Sequence, residues 1–245
     1  MAINVGSFGR IRVFEDFLGS NVNEDPVATF NNLSGSLGTI AVATGTAVNV
    51  VDEPGGIISL TTGATDNDNA AIYAGVFKPA DGGCVMEARF KRPSSIATNA
   101  VFCGFSETLA VTTPVMPAEF ATATLDFVAT GNVCGLVDDP DATTADRDWR
   151  AVFGNDNVVI STTDANGTRA YEASVADEWD IVRVEVGADG DAYCYLNGRL
   201  IKKCADAVTT TDILHAVLMI EDRVGSGSVL EVDYFYAEGG RDWTV

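Results

Sequence analysis

Residues 178–203, EWDIVRVEVGADGDAYCYLNGRLIKK, leave little choice of local structure. Val182, Val184 and Val186 share one parity; Trp179, Ile181, Arg183 and Glu185 share the other. A period of two puts one set on a buried face and the other in water. Gly187–Asp191, GADGD, is dense in residues that accept positive φ or bond their own backbone, so the chain turns there. Ala192, Cys194 and Leu196 then alternate with Tyr193 and Tyr195. Asn197-Gly198 predicts a two-residue type I′ turn, which needs φ > 0 at both central positions. Arg199–Lys203 returns, giving a three-stranded antiparallel meander.

The rest of the chain repeats this grammar. Cys84, Met86, Ala88 and Phe90 oppose Val85, Glu87, Arg89 and Lys91, one face core and one face wet. Ala100–Phe105, AVFCGF, is apolar on both parities and suits a central strand covered on both sides. Strands are also expected at Ile57–Thr61, Ala70–Phe77, Leu125–Val128, Val133–Val137, Trp149–Phe153, Val158–Thr162 and Leu214–Ile220. In Val229–Tyr236, Leu230, Val232, Tyr234 and Tyr236 fall on one side, against Val229, Glu231, Asp233 and Phe235. Glu107–Thr122, with Pro114 and Pro117, reads as a long loop. No window shows a sustained 3.6-residue period. Short strands with turn chemistry every ~8–12 residues indicate a sandwich or barrel. The strands are too many for one small barrel, so the expected fold is all-β: a two-sheet antiparallel jelly-roll sandwich. The economical division is an N-terminal arm, residues 1–13, followed by a single domain, residues 14–245.

With 245 residues, 47% of them hydrophobic, the chain can bury a sizeable core. Its formal net charge of −20 opposes binding to nucleic-acid phosphates. No apolar run approaches the ~20 residues of a membrane helix. The N-terminus lacks the apolar segment of a secretory signal, so the expected site of synthesis is the cytoplasm, with exit by lysis or inside a particle. Cys84, Cys103, Cys134, Cys194 and Cys204 are odd in number, and no CxxC occurs. They read as small buried residues rather than zinc ligands.

Chemistry is sparse. Glu231-Val232-Asp233 is the nearest approach to a paired-carboxylate strand, but positions 234 and 236, where further carboxylates belong, are tyrosine, and Glu238 lies too far along. Asp66-Asn67-Asp68-Asn69 and Asp138-Asp139-Pro140-Asp141 offer oxygens of the kind calcium takes, yet neither fits a known loop. They read more simply as acidic turns. His215, the only histidine, lies in a strand and completes no catalytic triad. Asn32-Leu33-Ser34 and Asn166-Gly167-Thr168 match a glycosylation pattern that means little without a secretory signal. Trp149, Trp179, Tyr193, Tyr195, Tyr234 and Tyr236 are candidates for a sugar-stacking platform, or for plain packing. No catalytic, cofactor or metal residue is assigned.

The meander and the late strand LEVDYFYAE resemble the concanavalin A-like lectin/glucanase superfamily. More closely, the ordered set FEDFLG, MEARFK, VFCGFSE, CGLVDDPDATTADRDW, the meander and VDYFYAEGGRDW resembles a group of tailed-bacteriophage virion proteins with that fold. The resemblance runs from about Phe14 to about Trp243. It implies a structural role on the particle surface, as a capsid decoration or head-fibre protein, often a trimer. The partners implied are the major capsid protein and further copies of the chain, with no nucleic acid, membrane or cofactor. Arg10 and Arg12, basic residues of the arm on an acidic chain, are the expected capsid contact. The alternative is a lectin-like module that recognises host-surface glycans. An enzyme acting on polysaccharide is disfavoured by the incomplete carboxylate strand.

Overall fold

The computed structural model describes residues 10–17, 38–42, 46–49, 56–108, 110, 114–121, 124–127, 131–142, 148–155, 158–159 and 172–241. The two glycosylation-like sites and residues 1–9 of the expected arm lie outside them. Seventeen strands are found among the described residues. They are β1 (Arg10–Glu15), β2 (Gly38–Val42), β3 (Thr46–Asn49), β4 (Ile58–Thr61), β5 (Asn69–Phe77) and β6 (Cys84–Lys91). Then come β7 (Asn99–Ser106), β8 (Glu119–Ala121), β9 (Thr124–Asp126), β10 (Val133–Asp138), β11 (Arg150–Asn155) and β12 (Val158–Val159). The chain closes with β13 (Trp179–Val186), β14 (Ala192–Leu196), β15 (Arg199–Cys204), β16 (Leu214–Asp222) and β17 (Val229–Gly240).

Two antiparallel sheets face each other, as the alternation requires. Sheet A runs β15-β14-β13-β6-β17-β4-β3, with β1 also on β17; sheet B runs β12-β11-β10-β7-β16-β5-β2. The sandwich is closed by residues of one parity from each sheet. Met86, Ala88, Phe90, Val182, Val184 and Leu196 of sheet A pack with Val101, Cys103, Phe105, Leu136, Leu218 and Ile220 of sheet B in one cluster. Each large aliphatic or aromatic side chain so buried contributes roughly 1.5–3 kcal/mol. The expected turn forms between β14 and β15: Asn197 has φ 50° and Gly198 φ 78°. Asn197 does more than turn. Its Oδ1 accepts the Ile181 N–H at 2.9 Å, and its amide donates to Asp180 Oδ1 at 3.0 Å.

β7 is buried along its whole length, as its two-sided apolar pattern anticipated. The cover is local in sequence. Within the expected loop, Glu119–Ala121 forms β8 and pairs with β9 at the expected strand after it, and Met116, Ala118 and Phe120 pack on Ala71, Tyr73, Phe102, Val137, Val217 and Met219 as a second apolar layer. The outer face of sheet B is therefore filled by the chain itself. At the β7–β10 pairing Gly104 lies opposite Gly135. A Cβ on Gly104 would fall 2.3 Å from the Cys134 carbonyl oxygen, so the two strands approach too closely for any side chain.

Two expectations need correction. The arm does not end at residue 13: Arg10–Glu15 is strand β1, antiparallel to β17, and Val13 is buried in the core. The arm's apolar residues, Ile11 and Val13, alternate with Arg10, Arg12 and Phe14, and that pattern is enough to dock it. Last, β17 changes parity. A bulge between Val232 and Tyr234 inserts one residue, so Phe235 and Ala237 turn into the core while Tyr234 and Tyr236 face outward.

Candidate functional site

The outer face of sheet A carries most of the sequence's candidate residues, and it is an internally paired lattice. Asp233 Oδ2 accepts from Arg89 Nη1 at 2.5 Å, and Glu231 lies 3.3 Å from Lys91 Nζ. Tyr234 donates its hydroxyl to Glu87 at 2.7 Å and Tyr236 to Glu238 at 2.5 Å. The carboxylates of β17 are thus held by cations and phenols rather than poised as an acid pair. The aromatic candidates do not form one platform. Trp149 is fully buried, its indole N–H bonded to Asp180 at 3.1 Å. The Trp179 ring lies beneath the Arg89 guanidinium at 4.4 Å, and the Tyr193 ring beneath Lys203 at 5.2 Å. His215 is buried at a bulge, with Nδ1 2.8 Å from the Gly75 carbonyl.

Arg10 and Arg12 project from β1 onto this same face. Both engage Glu238, Arg10 Nε at 2.9 Å and Arg12 Nε at 2.6 Å, while their own side chains stay 46% and 44% exposed. Burial alone would raise the Glu238 pKa. Hydrogen bonds from Tyr236 and Arg12, with the charges of both arginines, outweigh it and lower the value.

In the acidic turn at residues 138–141, Asp138 and Asp139 each pair with an arginine. Asp138 forms a buried ion pair with Arg92, whose Nε also donates to Ser174 at 2.8 Å. Asp139 Oδ2 takes the Phe120 N–H at 2.8 Å and Arg223 at 2.5 Å. Arg223 also lies 2.8 Å from both Glu119 and Glu221. One guanidinium therefore answers three carboxylates. Glu221 is 3% exposed, and desolvation pushes its pKa from 4.5 up to about 8, against the pull of Arg223.

That shift has a sign. Below about pH 4.5 the carboxyl is protonated folded or unfolded, so its titration changes nothing. Between about 4.5 and 8 the unfolded chain releases this proton and the folded chain holds it, so the contribution to stability falls as pH rises. Glu221→Gln is expected to flatten the decline of the melting midpoint between pH 5 and 8 and to melt higher than the parent at pH 8. An unchanged slope in the variant would assign the decline elsewhere.

A cleft opens at this end of the molecule, between the β6–β7 connection and the loop entering β17. It has a volume of about 290 Å³ and is lined by Lys91, Arg92, Pro93, Ser94, Ser95, Thr98, Asn99, Asp177, Ser226, Gly227, Ser228, Val229 and Glu231. The lining is hydroxyls, an amide and flanking charges. Local structure fixes its two sides. Arg223 N–H bonds the Thr98 carbonyl at 2.8 Å, joining the two loops. Asp222 holds the second loop by accepting Gly227 N–H at 2.8 Å, and Ser228 N–H bonds Thr62 Oγ1 at 2.9 Å. Asn99 is 1% exposed and Ser228 5%. Asn99 gives its amide to the Ser95 carbonyl at 2.5 Å, but its Oδ1 takes no hydrogen bond among the described residues, nor does Ser228 Oγ. Unpaired buried polar atoms cost roughly 1–3 kcal/mol each unless water or a ligand meets them. Neither residue carried a motif in the sequence; only the fold brings residue 99 beside residue 228.

The two facing antiparallel sheets form a jelly-roll sandwich of the concanavalin A-like fold. No protein-family model matches the chain, and no curated protein matches its sequence. Solved structures do match in shape. A protein of unknown function from Shewanella oneidensis MR-1, SO2946, superposes with TM-score 0.58 at 12% identity, over 100% of this chain and 91% of that one. The Emp46p carbohydrate recognition domain in its potassium-bound form gives 0.57 at 10% identity, over 90% and 97%. Peanut lectin gives 0.56 at 11% identity, over 94% and 97%. At these identities the likeness is one of fold.

Proposed function

We propose that the protein is a non-catalytic, lectin-like module that binds glycan through the cleft between residues 92–99 and 226–231. The carrying observation is the pair of buried, unanswered polar atoms, Asn99 Oδ1 and Ser228 Oγ, on residues lining a cleft that also carries Ser94, Ser95, Thr98 and Ser226. A sugar hydroxyl donates to the first and exchanges a hydrogen bond with the second. Two of the proteins that share the fold are described as a carbohydrate recognition domain and a lectin, which agrees with this reading. Catalysis is not part of it, because the outward carboxylates of β17 are each held by a cation or a phenol.

A glycan array probed with the purified protein, followed by calorimetry on the best oligosaccharide, tests the proposal. Asn99→Ala is expected to weaken binding by about tenfold, the scale of one or two lost hydrogen bonds. Ser228→Ala, a smaller change, is expected to weaken it less. Silence across the array, or binding indifferent to both substitutions, rejects the cleft.

The second reading is a capsid-surface protein of a phage or related virus, contacting the major capsid protein and its own copies through Arg10 and Arg12. It is favoured by one observation: both guanidiniums are about half exposed on a chain of net charge −20. Particle mass spectrometry separates the readings, since hundreds of copies per particle indicate decoration.

A further inference from the structure

A second cleft lies at the opposite end of β6, roughly 25 Å along the strand direction from the first. Its volume is about 440 Å³, and its lining includes Arg10, Arg12, Arg183, Tyr193, Tyr236 and Glu238. Gly82 and Gly83, ahead of β6, and Gly187, after β13, complete its edge. We propose that this cleft binds a small carboxylate-bearing ligand, independently of the glycan cleft.

Charge is the first argument. Three guanidiniums gather here against Glu185 and Glu238 of the lining and Glu87 beside it, on a protein whose formal net charge is −20. That local balance stands out from the acidic remainder of the chain and favours an anion here over the rest of the surface. Unused donors are the second argument. Glu238 is saturated, holding Arg10, Arg12 and the Tyr236 hydroxyl. Arg10 approaches it through Nε at 2.9 Å, and its side chain stays 46% exposed. Arg183 gives Nε to Glu185 at 2.7 Å and Nη1 to Glu87 at 3.5 Å, leaving Nη2. Arg183 is 40% exposed. Planar N–H forks of this kind match a carboxylate with two parallel hydrogen bonds.

The remaining lining suits a small molecule. Tyr193 and Tyr236 offer ring edges and a hydroxyl for the body of the ligand. The glycines keep the edge low: at Gly83, with φ +77°, a Cβ would meet the Val186 carbonyl oxygen at 2.7 Å. The site is also preassembled. β1, β6, β13 and β17 belong to one hydrogen-bonded sheet, so the three arginines are placed before any ligand arrives.

The probes are D-glucuronate, D-glucose, inorganic sulfate and a short poly-glutamate peptide, titrated into the ¹⁵N-labelled protein. Glucuronate is expected to shift the amides of Gly83 and Gly187 at millimolar concentration or below, and glucose is not. Raising the salt from 50 to 500 mM is expected to weaken glucuronate binding at least threefold. Arg183→Gln, on a half-exposed outer position, is expected to weaken it tenfold with the melting midpoint held; Arg12→Gln is expected to weaken it too, with a lower midpoint because Glu238 loses a partner. Asn99→Ala is expected to leave it unchanged, so failure of the glycan cleft and failure of this one are read separately. No shift with glucuronate, equal binding of glucose, or equal affinity in Arg183→Gln would overturn the proposal. Binding of the peptide without glucuronate would also overturn it, in favour of an acidic protein partner. Sulfate binding without glucuronate would overturn the carboxylate assignment.

Discussion

Arg223→Met is expected to lower the midpoint of thermal unfolding by about 10–15 °C. Among the described residues Arg223 is the cation that pairs with Asp139, Glu119 and Glu221, and its side chain is 9% exposed. Methionine keeps much of the aliphatic stem and removes the charge. Asp139, with its side chain 0% exposed, is then left buried without compensation, and Glu221, 4% exposed and kept protonated near neutral pH by desolvation, loses the cation beside it. Breaking one side of a buried ionic group costs roughly 3–5 kcal/mol. In a domain of this size each kcal/mol moves the midpoint by about 2–4 °C. A loss under about 3 °C would mean that the carboxylates relax into water or simply protonate. The double variant Arg223→Met with Glu221→Gln separates those cases, because it removes one stranded carboxyl group and is expected to recover part of the loss. Damage is also expected to be local before it is global. Arg223 ties Glu119 of β8 to the end of sheet B, and Asp139 holds the Phe120 N–H. Hydrogen exchange at Phe120 is therefore expected to quicken in the variant under conditions where β7 amides stay protected.

The sequence signalled the parts of this molecule that are governed by short-range periodicity. Val182, Val184 and Val186 point inward and Arg183 and Glu185 outward because side-chain direction in a strand depends only on parity. Asn197-Gly198 turns because its own backbone accepts positive φ. The errors fall where one residue or one long-range partner decides. At β17 the bulge before Tyr234 reverses the parity of everything after it, which no alternation rule foresees. β1 pairs with a strand at the far end of the chain, so Arg10 and Arg12 looked like a free arm and are instead held at Glu238. The region carrying Pro114 and Pro117 reads as a loop because its apolar residues follow no period. Their order comes from the second face of sheet B, which needs covering. Both clefts were invisible for the same reason. Asn99, Ser228 and Arg183 have ordinary neighbours in sequence, and their placement is a property of strand order. The cysteines show the converse, where a composition-level reading was correct for each residue and incomplete for the set.

All five thiols are buried and none is in a disulfide. They come from both sheets: Cys84 in β6, Cys194 in β14 and Cys204 in β15 from one side, Cys103 in β7 and Cys134 in β10 from the other. Burial raises the pKa of every one of them, for Cys134 up to about 12. Cys194 is raised further by electrostatic interaction with Cys134, Cys204 and Cys103, and all five cysteines belong to the one buried inter-sheet cluster. A thiolate in such a group would be stranded beside its neighbours in an apolar core, so the thiol form persists well above neutral pH. Two barriers to alkylation therefore multiply: the reagent cannot enter, and the nucleophile is absent when it does. Native protein at pH 8 is expected to show no fast-reacting thiol toward an aromatic disulfide reagent, and protein in strong denaturant to show all five. Any slow native reaction is expected to follow the global opening equilibrium, at roughly 10⁻³–10⁻⁶ of the denatured rate. In Arg223→Met it is expected to accelerate in proportion to the lost stability. One cysteine reacting quickly in the folded protein would show that the inter-sheet core is breached at that strand. Cys204 is the test position, because β15 is the edge of sheet A and its neighbour Leu200 is already 50% exposed.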